Sequence, residues 1–179
     1  MVAIESLREY RSFVEYRILA AMEKRRVEYR ADITRIITEA VCDLGKHLNY
    51  TVTLEKRYQA PLAAERKLRS DVHWHGDVNH IWEIDTTIKM ESAWKLSTAP
   101  EPEKMWVLWA KEEELISLRR MELTGINLMI LSYDIRKLIW DRLLSEKFHR
   151  MELHNVLMQE ERFLQAKKLD GKLAQGRSS

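Results

Sequence analysis

Apolar positions along this chain change their spacing from one segment to the next, and each spacing predicts an element. From residue 3 to residue 30 they fall at Ile4, Leu7, Tyr10, Val14, Ile18, Ala21 and Met22 among charged neighbours. This mixed three-and-four spacing predicts a long helix with one buried stripe. Asp32 is placed as the N-cap of a further helical stretch, in which Ile33, Ile36, Ile37, Ala40, Val41 and Leu44 form a second stripe and Gly45 lies near the end. The pattern leaves open whether residues 3–44 make one helix or two. Residues 50–58, rich in β-branched and aromatic side chains, predict a strand. Pro61–Lys67 connects that strand to a β-hairpin, whose two arms are residues 69–75 and 80–87. Met90–Leu96 predicts a short helix ending before Pro100 and Pro102. Met105–Ala110 is apolar throughout, as in a strand covered on both faces. A helix over Lys111–Leu123, a second apolar strand over Ile126–Ser132 and a terminal helix capped by Asp134 complete the pattern. The apolar positions of that last helix are Ile135, Leu138, Ile139, Leu143, Leu144 and Phe148, and it continues to about Lys168.

Antiparallel strands followed by two apolar strands reached through helical crossovers predict an α/β fold, a mixed sheet flanked by helices. The expected organisation is a single domain over residues 1–170. Its core covers about 32–133, the helical extensions 3–30 and 134–168, and a flexible tail 171–179.

The hairpin carries the chemistry. Strand side chains alternate between faces, so Glu83 and Asp85 share one face while Trp82, Ile84 and Thr86 share the other. Two carboxylates on a half-buried strand repel each other and lose solvation, which a divalent cation relieves. Asp71 joins them when paired residue numbers add to an even total. A sum of 156 sets Asp71 opposite Asp85, and a sum of 154 sets it opposite Glu83. Both registers leave hairpin loops of ordinary length containing Gly, Asp or Asn.

Composition narrows the classes. The 179 residues are 45% hydrophobic and 32% charged, as in a globular chain rather than a disordered one, and five Gly and three Pro leave most of it free for regular structure. A net charge of +2 makes any nucleic-acid surface local rather than global. The single cysteine, Cys42, excludes an intrachain disulfide framework, reads as a small buried hydrophobe and suits the cytoplasm. The acids and Arg8 within Met1–Tyr10 speak against a secretory signal. The longest uncharged apolar run, Gly125–Tyr133, is far shorter than the roughly 20 residues of a membrane span. There is no Gly-rich phosphate loop and no Ser/His/Asp signature.

Asp71 and Glu83-x-Asp85 on adjacent strands, within this order of elements, resemble the PD-(D/E)XK nuclease superfamily, the restriction-endonuclease-like fold with its α-β-β-β-α-β core. The match covers roughly residues 32–110. The Glu-x-Asp form after an apolar flank looks like the very-short-patch-repair-like branch. The resemblance implies a metal-dependent endonuclease hydrolysing phosphodiester bonds in DNA, with Asp71 and Glu83 holding Mg²⁺ or Mn²⁺ and Asp85 completing the shell or orienting the water. Asp85 stands where the family carries its catalytic lysine. Lys89, on the same strand face if the strand continues to it, is one replacement, and Lys95 on the short helix behind is another. The family's further acid from the preceding helix falls on Glu39, with Glu28 a poorer fit. Arg69, His73, His75 and Lys95 are the candidate nucleic-acid contacts.

Plainer readings stand beside these. His73 and His75 share a face with Asp71, which allows an Asp-x-His-x-His metal site, but polar residues on a solvated face or near bound phosphate account for them better. Trp74, Trp82, Trp94, Trp106 and Trp109 suit core packing better than base stacking. Lys24, Arg25, Arg26, Arg30 and Arg35, interleaved with acids, suit a solvated or interhelical face better than a phosphate track. Three function classes remain: a nuclease, a non-catalytic protein of the same fold that binds nucleic acid or protein, and a helical assembly module. All three are compatible with a homodimer built on the long terminal helices.

Overall fold

The computed structural model describes residues 4–55, 57–59, 67–121 and 123–175. The chain begins with two helices, α1 (Ile4–Lys24) and α2 (Arg30–His47). The charged run from Lys24 to Arg26 interrupts the apolar stripe, and Val27 drops into the core at the break with no exposed surface. Asp32 does not occupy the N-cap expected for it. Tyr29 does, and the Asp32 carboxylate three residues on accepts the Tyr29 and Glu28 backbone N–H groups at 2.9 and 3.0 Å. A carboxylate satisfying two orphan amide donors at a helix start does a cap's work from inside the first turn.

Five strands form the main sheet in the order β1-β4-β5-β6-β7: β1 (Thr51–Leu54), β4 (Val72–His75), β5 (His80–Asp85), β6 (Glu103–Leu108) and β7 (Ile126–Ile130). β1, β4 and β5 run antiparallel, and β5, β6 and β7 run parallel. Helix α3 (Met90–Thr98) makes the first parallel crossover; the second is a four-residue α4 (Glu112–Leu115) continued as a 3₁₀ turn, Ile116–Arg120. The helix expected over Lys111–Leu123 is therefore shorter and changes its winding. The strand expected over residues 50–58 is split. Glu55 takes a left-handed φ of 51°, which turns the chain out of the main sheet, and β2 (Arg57–Gln59) pairs instead with β3 (Lys67–Arg69) in a small sheet. Of the expected connector Pro61–Lys67, Pro61–Arg66 lie outside the described residues.

The three middle strands, β4, β5 and β6, are buried on both faces. On one, α1, α2 and the start of helix α5 (Tyr133–Gln175) pack Ile18, Ile33, Ile37 and Ile139 against Val72, Trp74, Trp82, Ile84, Met105 and Val107. On the other, α3 packs Ala93 and Leu96 against Ile81, Trp106 and Leu108. α5 runs 43 residues and takes in Gly171–Gln175, which the sequence placed in a tail. Trp74, Trp82, Trp106 and Trp109 are fully buried, as core packing requires, whereas Trp94 is 39% exposed. Cys42 is buried, and burial pushes its thiol up to about 11. Gly45 sits where α2 presses closest on the sheet: a Cβ there would lie 2.6 Å from the Trp74 indole nitrogen and 2.8 Å from a Val52 methyl.

Helix ends are pinned by charge. The buried Arg136 donates to the Leu131 and Ala110 carbonyls and to Glu112, tying α5 to the ends of β6 and β7. Arg25 and Arg26 reach Glu39 of α2 and Glu146 of α5, while Arg35 pairs with Asp32 within α2, so the basic stretch is partly solvated and partly interhelical.

The two backbone hydrogen bonds hold the Asp32 carboxyl below its ordinary range. We expect Asp32→Ala to lower unfolding stability by about 1 kcal/mol in urea denaturation at neutral pH. A depressed carboxyl stabilises above its unfolded pKa and loses that contribution as pH falls through the folded one. Mutant and wild type should therefore converge in acid.

Candidate active site

Backbone geometry brings the hairpin acids together. The β4–β5 register pairs Val72 with Trp82, His73 with Ile81 and Trp74 with His80, so paired numbers add to 154. Of the two sums open from sequence the ladder takes 154, and its pairs end at Val72 and Trp82, one residue short of Asp71. The Asp71 N–H donates to the Trp82 carbonyl at 3.2 Å, and the Ile84 N–H donates to Asp71 Oδ2 at 2.7 Å, fixing the carboxylate at the strand edge. Glu83 and Asp85 point to the α3 side of the sheet, where Glu83 lies beside Trp106 of β6.

β5 is buried along its whole length, and both of its acids are nearly inaccessible: Glu83 is 2% exposed and Asp85 4%. Isolated carboxylates in such a place are strongly disfavoured, and each has a cation. Lys95, projecting from α3, places Nζ 2.8 Å from Glu83 Oε2 and 3.4 Å from the Arg69 carbonyl. Lys89, the residue just before α3, places Nζ 2.5 Å from Asp85 Oδ1, and the Trp106 indole N–H donates to Asp85 Oδ2 at 3.0 Å. Both oxygens of Asp85 are thus engaged. Glu83 differs: its Oε1 is buried and, among the described residues, has no hydrogen-bond partner.

Burial raises the Glu83 carboxyl to about 7, helped by the Asp71 charge and opposed by Lys95. Burial also raises Asp71, opposed by the Ile84 amide and by Lys95. Its hydrogen bond to Asp85 raises Lys89. Asp71, Glu83, Asp85, Lys89 and Lys95 therefore form one electrostatic unit at the end of β5.

The remaining candidates divide. Glu39 is not brought to this unit. It lies on α2, on the opposite side of the sheet, and its carboxylate binds Arg25 at the end of α1. Arg69 is exposed and binds Glu55. Lys95, named by sequence both as a replacement for the strand lysine and as a nucleic-acid contact, is an inner member of the site, against Glu83. His73 is fully buried; its Nε2 lies 2.6 Å from Glu101 Oε1 and its Nδ1 3.1 Å from His75 Nε2. Sequence reading missed Trp106 and Glu101. Trp106 sits in a run that reads as pure core, and Glu101 lies between two prolines in what reads as loop. The period-2 match of Trp106 to the buried face was the one available signal.

Among the described residues, no set of three His, Cys, Asp or Glu side chains is arranged to hold a metal ion, and no helix is long and apolar enough to cross a membrane. No family model, curated protein or solved structure matches the chain.

The raised Glu83 carboxyl has a consequence for stability. Its folded pKa exceeds its unfolded one, so its stabilising contribution is present below the ordinary carboxylate range and is lost as pH rises through about 7. Asp71 acts in the same direction. In metal-free buffer, the urea midpoint should fall between roughly pH 5 and pH 7.5, and Glu83→Gln should flatten most of that slope.

Proposed function

We propose that the chain is a metal-dependent nuclease of the restriction-endonuclease-like class, hydrolysing phosphodiester bonds in DNA. The observation that carries this reading is the Asp71 carboxylate held 2.7 Å from the Ile84 amide, next to Glu83 in β5, with the Lys95 ammonium 2.8 Å from Glu83. The order of elements around it, a helix, antiparallel strands, a helix and a parallel strand, supports the same class.

The donor set fits a hard divalent cation. Asp71 and Glu83 offer oxygen ligands near one another, and Glu83 Oε1 is a buried acceptor without a partner among the described residues. Mg²⁺ is commonly held by one or two carboxylates, with water and substrate phosphate filling the rest of its shell, so two protein ligands suffice. When bound, Mg²⁺ or Mn²⁺ supplies charge to polarise a phosphate oxygen and to acidify water. Asp71 and Glu83 would hold it. Lys95 is fixed by Glu83 and supplies positive charge where negative charge grows on the phosphate. This gives Lys95, rather than Lys89, the work of the absent strand lysine. Asp85 holds Lys89 and is itself held by Trp106, so it orients the rim of the site rather than completing the metal shell.

A second reading has its own support. Lys95–Glu83 and Lys89–Asp85 already neutralise the β5 acids pairwise, as expected of a degenerate site in a nucleic-acid- or protein-binding module. A homodimer belongs with either reading. Leu144, Phe148 and Met151 recur at helical spacing along α5 and are each about half exposed or more, at 47%, 62% and 52%.

Plasmid and oligonucleotide cleavage with Mg²⁺ or Mn²⁺ tests the choice. The nuclease reading expects metal-dependent cutting that is abolished by Asp71→Asn and Glu83→Gln. It expects Lys95→Met to cut roughly a hundredfold more slowly and Lys89→Met to lose much less. A folded wild-type protein that leaves DNA and RNA intact with either ion selects the binding module.

A further inference from the structure

We propose that His73 and His75 form a second metal site, one for a borderline transition-metal ion such as Zn²⁺, Ni²⁺ or Cu²⁺, chemically distinct from the carboxylate site beside it. The two residues lie two apart on β4 and so project from the same face. Their facing nitrogens, His73 Nδ1 and His75 Nε2, are 3.1 Å apart. An ion about 2.05 Å from each, the ordinary metal–imidazole distance, would see them at about 98°. That angle lies between the cis angle of an octahedral or square-planar site and the tetrahedral one.

The ring placement favours shared ligation over a simple contact between the imidazoles. A linear N–H···N bond at this separation would hold the ring centres about 5.4 Å apart. They are 4.3 Å apart and tilted by 38°. The nitrogens therefore meet off the straight line of a linear hydrogen bond. Two rings ligating one ion at ordinary distances have centres about 4.8 Å apart, closer to what is seen.

Glu101 supplies the orienting contact that metal-bound histidines need. Its Oε1 lies 2.6 Å from His73 Nε2, which places the ring proton on Nε2 and leaves Nδ1 as a lone pair toward His75. His73 and Glu101 are both more than nine-tenths buried, so the tautomer is set inside the protein rather than by solvent. His75 is only partly buried and is followed by the exposed Gly76 and Asp77, which gives an ion an approach and leaves its other positions to water or a ligand. Imidazole selects zinc, nickel and copper over magnesium, so the pair would not compete for the cation of the carboxylates.

Calorimetric titration of the full, untagged chain with Zn²⁺ and Ni²⁺ tests the site without reference to nuclease activity. The expected result is one ion bound per chain. His75→Ala should weaken binding at least roughly tenfold. Glu101→Gln should weaken it by roughly tenfold to a hundredfold, and Asp71→Asn should leave it unchanged. Imidazole ¹⁵N spectra of the wild type provide a check independent of any variant: Zn²⁺ should move His73 Nδ1 and His75 Nε2 and leave His73 Nε2 protonated. Binding unaffected by His75→Ala, binding lost in Asp71→Asn, or imidazole nitrogens that do not respond to Zn²⁺ would each overturn the proposal.

Discussion

β5 is the middle strand of the sheet, covered by helices on both faces, and it nevertheless carries two acids. That conflict organises everything around it. A strand in this position ordinarily reads as a continuous apolar run. His80-Ile81-Trp82-Glu83-Ile84-Asp85 places Trp82 and Ile84 on the α1–α2 side and its acids, beside Ile81, toward α3, where lysines can reach them. α3 is thus more than a crossover. It delivers Lys95 to Glu83, Lys89 precedes it at Asp85, and its apolar residues seal the Trp106 side of the cluster.

The balance of that cluster is uneven, and the unevenness separates two roles. Asp85 is satisfied on both oxygens, by an ammonium and an indole N–H, and behaves as a fixed strut. Glu83 has one oxygen on Lys95 and the other without a partner among the described residues, in the least accessible part of the site. Buried polar atoms without partners are uncommon in folded chains and point either to stored strain or to something that binds there. Asp71, facing Glu83 and anchored by a single backbone amide, stands beside that orphaned atom.

Much of this was legible in the sequence because the features concerned are periodic. Alternation identified the faces of β5, the uninterrupted run identified β6 as covered on both sides, and the even-sum rule left two registers for the hairpin, of which the structure takes 154. What escaped was non-periodic or long-range. Glu55's left-handed backbone, which diverts β1 into a second sheet, has no signature in a run of strand-forming residues. Asp32 resembles an N-cap because aspartate serves both at the cap and inside the first turn, and only the observed hydrogen bonds separate the two. Glu39 has the right spacing on α2 and the wrong side of the sheet, a distinction that needs the layer order. Lys95 lies 12 residues from Glu83, and only the path of α3 brings them into contact.

The contact of Gly45 with Trp74 makes the two faces of this protein unequal in how freely they can diverge. On the α3 side, lysines and an indole reach the acids through long side chains that can adapt to new neighbours. On the α2 side the helix backbone meets the Trp74 ring with no room for even a methyl group. Trp74 is the residue between His73 and His75, and β4 is one peptide thick. A shift imposed from behind would therefore move both histidines and their neighbour Asp71 together. Chemistry can drift on the front of the sheet only while the back stays still.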